Sequence, residues 1–450
     1  MTQENNGVTR RRFVTAAGAA GIVGLAGCSG DGGDGGSSGG SGDGSDGGSG
    51  SSGGSGGGSG NQLEVAHWWS EGDGNAAINA LVDGFQEKYP DVDINENLVA
   101  GGAGQNLRDN IRTRIQNGNN PSTWQSWPGK ELMPFVEADL LEDIESSVWD
   151  KNSMKDAYLS GVKDAAQPGG TYVTVPLNIH RLNNLFYNVQ VVESAGVDPS
   201  SLDSPSALLD AMAQISDATD AAPMANQTKA PWSTLQMWAQ VLLGEAGVDT
   251  YMSFAEGDVS GNEDAIRSAL NTVAEYKEYF NSDAGSISWT EANTKVMNGE
   301  AAFIHQGDWA AGAYRGNDDF AYEENWNHVP FPGTEGMYAL NMDSFPYPTN
   351  NPSPEATTKF LRYVGTVDAQ ERFNPKKGSI PPRTDVPDDA FGPFLTQQKA
   401  DFADSDAQPP SMTHGLAVPP ETLSNMKSAM STFTANWNVD KTYSQIKSAF

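Results

Sequence analysis

LEVAHWWSEGDGNAAINALVDGFQEKYP, Leu63 to Pro90, reads as a strand followed by a helix. LEVAHWW is apolar and β-prone, as a buried strand requires. Ile78, Leu81, Val82 and Phe85 then recur at helical spacing, and Pro90 stops the run. The pattern repeats downstream. VDINENLV (92–99) alternates like a strand, and NLRDNIRTRIQNG places Leu107, Ile111 and Ile115 on one helical face before Gly118. TWQSW (123–127) reads as a short strand and KELMPFVEADLL (130–141) as a helix. Such a β-α-β-α-β-α order predicts a parallel sheet covered by helices. Ligands in such sheets bind at the carboxyl ends of the strands. Trp68, Trp69, Gln125 and Trp127 all fall at those ends.

Further along, YVTVPLNIHRLNNLFYN (172–188) reads as one long extended segment that crosses to a second α/β lobe. Helices are expected near 205–216, 232–246 and 263–280. GMYALNMDSFPYP (336–348) is a second β-like crossing, and the tail from Thr422 is helical. The part beyond residue 60, about 390 residues, is long enough to divide into two lobes.

Upstream, TRRRFVTAAGAAGIVGLAGC (9–28) has the layout of a secretory signal: a basic cluster, an apolar run from Phe13 to Ala26, then small residues. The run is shorter than the ~20 residues of a membrane span. Arg10-Arg11 resembles a twin-arginine export signal. Leu25-Ala26-Gly27-Cys28 resembles a lipoprotein box, which implies that Cys28 becomes the N-terminal, lipid-bearing residue. Cys28 is the only cysteine, so no intrachain disulfide can form. Ser29 to Gly60 contains only Gly, Ser and Asp. With nothing apolar to bury, this tract is expected to act as a flexible tether spanning roughly 30 Å.

The formal net charge is −31. Such a surface repels nucleic acid and anionic lipid, which argues against both as partners. Acidic excess with few lysines resembles proteins from high-salt organisms, where neighbouring carboxylates are screened.

Eleven tryptophans are present, and several stand beside polar residues: HWWSEGDG, TWQSWPG, ISWTEAN and QGDWAAG. An indole face packs on the C–H face of a sugar ring while carboxylates and amides take its hydroxyls, so these clusters point to a carbohydrate cleft. No GxSxG, HExxH or P-loop occurs, and the five histidines are scattered without metal-type spacing. Glycoside hydrolysis needs only two facing carboxylates, and 58 acidic residues leave that alternative open.

The segments WWSEGDGNAAINAL, TWQSWPGKEL, VPLNIHRLNNLFYN, NGEAAFIHQGDWA, NMDSFPYP, FNPKKGSIPPRTDV and PSMTHGLAVPP, in this order, resemble the extracellular solute-binding proteins of sugar ABC transporters. The likeness is to the glucose/mannose-type group of family 1 and covers nearly all of 61–450. It implies an α/β, periplasmic-binding-protein-like fold of type II, with the ligand between two discontinuous lobes. Lobe one would comprise 61–175 plus 343–383, and lobe two 178–340 plus 386–450. The resemblance implies ligand-facing aromatics at Trp68, Trp69, Trp289 and Trp309. It implies hydroxyl acceptors at Asp73 and Asp343, an amide at Gln125, and donors at Lys377 and His414. His180 lies on a crossing strand. Where the family pattern Q-x-H-x-G carries His, this chain has Trp127, so a donor gives way to an expected aromatic platform and glucose specificity does not carry over. The resemblance implies a monomer that needs no cofactor or metal, binds a sugar, and delivers it to permease subunits at the outer membrane face. A secreted glycosidase or deacetylase, and a receptor-coupled sugar sensor, are the alternatives.

Overall fold

A computed structural model of the chain describes residues 61–70, 72–101 and 104–450; the signal, Cys28 and the tether lie outside the described residues. The first strand-helix unit is as the sequence predicts. β1 (Gln62–His67) leads into α1 (Gly72–Lys88), which buries Ala77, Ile78, Leu81, Val82 and Phe85. Asp73 in its first turn and Lys88 in its last complement the helix dipole. β2 (Asp93–Leu98), α2 (Gln105–Gln116) and β3 (Thr123–Trp124) complete a parallel sheet in the order β2-β1-β3. Its register pairs Leu63 with Ile94 and Val65 with Thr123.

Two expectations need correction. The helix anticipated over 130–141 is a 3-10 turn, Gly129–Leu132, and a short helix, Met133–Glu137. The chain then turns through Asp139 at φ 54, and Leu141 bridges to Pro348, so sheet pairing ends the helix early. The long crossing strand is three pieces: β4 (Thr174–Pro176), β5 (His180–Arg181) and β6 (Asn184–Asn188). Between them, side-chain amides replace the ladder. Asn178 Oδ1 accepts from the Asp343 N–H at 2.6 Å, and Asn183 Oδ1 from the Ala339 N–H at 3.0 Å.

The second lobe follows β6. It contains α3 (Pro205–Ala218), β7 (Ala222–Ala225), α4 (Pro231–Ala255), α5 (Glu263–Tyr276) and α6 (Trp289–Met297). β8 (Ala301–Gln306) and β9 (Trp326–Pro330) close a mixed sheet in the order β7-β8-β6-β9. The return crossing is β10 (Leu340–Asn341), antiparallel to β5, and β11 (Ser344–Pro346), antiparallel to β4. α7 (Pro354–Val364) and α8 (Val367–Lys377) come back to the first lobe, where α8 packs along α1. α9 (Pro420–Asn436) packs on α4 in the second lobe. The result is a two-lobe α/β molecule whose crossings run between the two sheets.

The segment 409–418 bridges the lobes. Tyr251 on α4 holds it, its hydroxyl donating to Pro410 O at 3.2 Å and accepting from the Met412 N–H at 3.1 Å. On the other side the N–H groups of Lys130 and Glu131 donate to Leu416 O and Gly415 O. Gly415 has φ +74, and a Cβ there would lie 2.8 Å from Glu131 Oε2 and 3.0 Å from the Trp127 ring. Glycine alone lets this segment clip onto the first lobe.

Candidate functional site

The strand ends of the first lobe set one wall of an interlobe cleft of about 970 Å³. Trp68 and Trp69 follow β1, and Asp73 opens α1. The Trp68 N–H donates to Gln125 Oε1 at 3.1 Å, and Gln125 Nε2 donates to Asp343 Oδ1 at 3.0 Å. Gln125 is fully buried and lies behind the lining rather than in it. Trp69 packs on Phe373 and Phe345 at ring separations of 5.2 and 6.2 Å and presents little of its surface to the cleft. Trp127 is 4% exposed. The Arg108 guanidinium stacks over its ring at 4.4 Å, and Trp68 and His414 meet it edge to face. Trp127 is therefore a packed wall rather than the open platform expected for it.

The crossing strands supply the floor. His180 on β5 places Nδ1 2.5 Å from Asp308 Oδ1. The other Asp308 oxygen accepts from the Arg181 N–H at 3.0 Å. His180 Nε2 lies 3.7 Å from Asp343 Oδ2, which also accepts from Asn178 Nδ2 at 2.9 Å. Burial alone would lower the His180 pKa, but the charge and hydrogen bond of Asp308 outweigh it and raise the value. Burial alone would raise that of Asp343, but the hydrogen bond and charge of His180, with the charge of Lys377, hold it below the usual carboxylate range. A charged carboxylate with one protein donor on each oxygen keeps lone pairs for further donors, so Asp343 is a preorganised acceptor. Beside it, Asn341 on β10 is 3% exposed, and its Oδ1 has no protein partner among the described residues.

The second lobe adds Trp309, just after β8, whose ring meets His180 at 5.3 Å and His414 at 5.6 Å. His414 Nδ1 lies 2.8 Å from Thr413 Oγ1 and 3.1 Å from Ser411 Oγ, which favours the tautomer with its proton on Nε2. Burial, reinforced by the Lys427 charge, pushes the His414 pKa down to about 3, so the ring is neutral at ordinary pH. Trp289 stands at the first position of α6, behind the N-cap Ser288.

The lobes meet over the cleft. On the first-lobe side, Lys377 Nζ on α8 donates to Asp73 Oδ2 on α1 at 2.6 Å. Burial works against the lysine charge, yet Asp73 and Asp343 raise its pKa above the ordinary value. A Cβ on Gly312 would lie 2.9 Å from Asp73 Cβ, so the second lobe can approach α1 this closely only through a glycine. Arg315 donates to Pro375 O across the same seam.

Nine of the ten ligand-facing residues expected from the sequence thus line a single cleft, Gln125 being the exception. The structure adds Trp232, Asn341 and Arg315 to the lining, and Asn178 and Asp308 behind it. Asp308 stood in the quoted QGDWAAG, whereas nothing local marks Trp232, in APWSTLQ, as different from a helix-start core residue.

Residues 80–403 match the family model described as bacterial extracellular solute-binding protein. The xylose/arabinose-binding protein XacG of Haloferax volcanii is 44% identical, the match covering 85% of this chain and 83% of that protein. An ABC transporter extracellular-binding protein of Pyrococcus horikoshii is 33% identical over 86% of this chain and 87% of its own length. Among solved structures, the bacterial solute receptor AcbH, described as preferring β-D-galactopyranose, superposes with a TM-score of 0.75 at 19% identity. That superposition covers 86% of this chain and 97% of the receptor. By the extent of the family match and the identity to these relatives, the chain belongs to the bacterial extracellular solute-binding proteins.

Proposed function

We propose that this protein captures a neutral sugar between its lobes and delivers it to the permease of an ABC transporter. The carrying observation is the pairing, in one cleft, of indole rings with buried polar groups already fixed by the protein. Asp343 offers a charged acceptor, the Asp73–Lys377 pair an acceptor and a donor, and Asn341 an acceptor still without a partner. Buried groups of this kind penalise an analogue that lacks a hydroxyl, because one of them stays unpaired. Both lobes contribute, so a ligand that touches both favours the closed arrangement. In this proposal the lobes are 61–175 plus 343–383 and 178–340 plus 386–450. The return of α7 and α8 to α1 and the packing of α9 on α4 support those bounds.

A glycosidase needs one carboxyl group that keeps its proton. Asp343 is held charged, and both oxygens of Asp308 are occupied by His180 and Arg181, which favours binding without chemistry. No helix among the described residues is long and apolar enough to cross a membrane. Attachment would come from the lipid on Cys28 after twin-arginine export, with the protein acting as a monomer.

Calorimetry in high salt against D-xylose, L-arabinose and D-glucose tests the assignment, xylose and arabinose being the sugars in XacG's name. One-to-one binding with the sugar recovered unchanged is expected. Asp343→Asn should weaken it by at least about tenfold, roughly 1.4 kcal/mol. No binding across a wider saccharide panel would overturn the sugar assignment, and new products would make the protein an enzyme.

A further inference from the structure

Two cations from opposite sides of the interlobe seam stand over one indole. Arg108, on α2 of the first lobe, stacks on the Trp127 ring at 4.4 Å, and Lys427, on α9, places Nζ 5.9 Å from the same ring. Because α9 packs on α4, Lys427 comes from the second lobe. Arg108 has a counter-charge: its Nε lies 3.7 Å from Glu131 Oε1, and both side chains are buried. Lys427 is half-buried, and among the described residues no hydrogen bond or ion pair holds its Nζ. The seam therefore gathers more positive charge than Glu131 alone balances.

The groups around Lys427 come from several elements. α2 brings Arg108 and Asp109, and the 3-10 turn brings Glu131. The 409–418 segment brings His414, which the Lys427 charge helps to keep neutral. α4 and the helix after α9, Val439–Lys447, also pack on α9, with Glu245 and Asp249 on the first and Asp440, Lys441 and Lys447 on the second. The charges that act on Lys427 are those of the first lobe. Burial, then Arg108, pushes its pKa down to about 7, against the pull of Glu131 and Asp109. Parting the lobes takes Lys427 away from Arg108 and into water, where a lysine titrates near about 10.4.

We propose that Lys427 is a proton-linked brake on lobe closure: protonated, it faces the fixed Arg108 charge across the seam and holds the lobes apart, and closing on a sugar drives its proton into solvent. The proposal rests on the sugar-capture function above. An arginine keeps its proton at any ordinary pH, so Lys427 is the cation that yields. Between about pH 7 and 10 the open arrangement holds a proton that the closed one has lost, so closure and sugar affinity strengthen as pH rises.

Calorimetry with D-xylose, L-arabinose and D-glucose at pH 8, run in Tris and in phosphate, counts the proton, because the two buffers take it up with different heats. Sugar binding should release about one proton, and should be at least about fivefold tighter at pH 8.5 than at pH 7.0. Lys427→Met, which keeps an apolar stem without the charge, should release none and bind at pH 7.0 as tightly as the wild type does at pH 8.5. Lys427→Arg, whose charge cannot leave, should bind weakly at both. Sugar heats identical in the two buffers would overturn the brake and leave the sugar assignment standing. So would an undiminished proton count in Lys427→Met, which would assign the proton to another group. Failure of every saccharide to bind would overturn both.

Discussion

His180 is held at Nδ1 by Asp308, and the Asp343 carboxylate lies 3.7 Å from its Nε2. Its folded-state pKa is raised, because Asp308 outweighs the burial that would lower it. A raised value means that the stability it contributes is fully present below the ordinary histidine pKa of about 6.5 and is lost as pH rises through the folded value. Melting curves should therefore show the wild type losing its advantage over His180→Gln as pH rises above the ordinary histidine value of about 6.5. A difference independent of pH would mean that the His180 charge does not stabilise the fold. At this scale the sequence was informative about residue type and silent about orientation. Trp127 and Trp309 look alike in QSWPG and GDWAA, yet Arg108, far off on α2, covers one ring. Only the folded chain brings Arg108 and Trp127 together.

Among elements, α6 shows how a local signal places a functional side chain. Ser288 Oγ accepts from the Glu291 N–H at 3.2 Å, and Glu291 Oε2 accepts from the Ser288 N–H at 2.6 Å. This capping box fixes the first turn and with it Trp289. Ser288→Ala should cost about 1 kcal/mol in urea unfolding and weaken sugar binding by displacing Trp289. Unchanged stability would show that the cap is dispensable. Elements of strong period, such as α1, α2 and the helices of the second lobe, were legible from apolar spacing. The broken crossing strand was not, because Asn178 and Asn183 end the ladder by offering side-chain oxygens to partners more than 150 residues away. The helix expected over 130–141 stops for a similar reason, a distant bridge to Pro348.

For the whole molecule, charge dominates. A net −31 keeps carboxylates under mutual repulsion over about 10 Å at 0.1 M salt but only about 3 Å at 1 M. The melting temperature should rise between 0.1 and 2 M KCl by at least ~2 °C, the shift expected for ~1 kcal/mol in a large domain. A flat response would separate the acidic surface from salt adaptation. The two-lobe plan was legible at this scale from the order of elements and from family resemblance. Which groups face one another across the cleft was not, since Gly312 beside Asp73 and Arg315 on Pro375 O join segments far apart in sequence.

The clip of 409–418 onto Lys130 and Glu131 carries one further consequence. Its two backbone hydrogen bonds join a segment anchored on α4 to the first lobe. In the proposed cycle, a parting of the lobes that separates Gly415 and Leu416 from Lys130 and Glu131 exposes those amides to water. The rate at which their protons exchange with solvent is then a clock for the gate, written into the backbone.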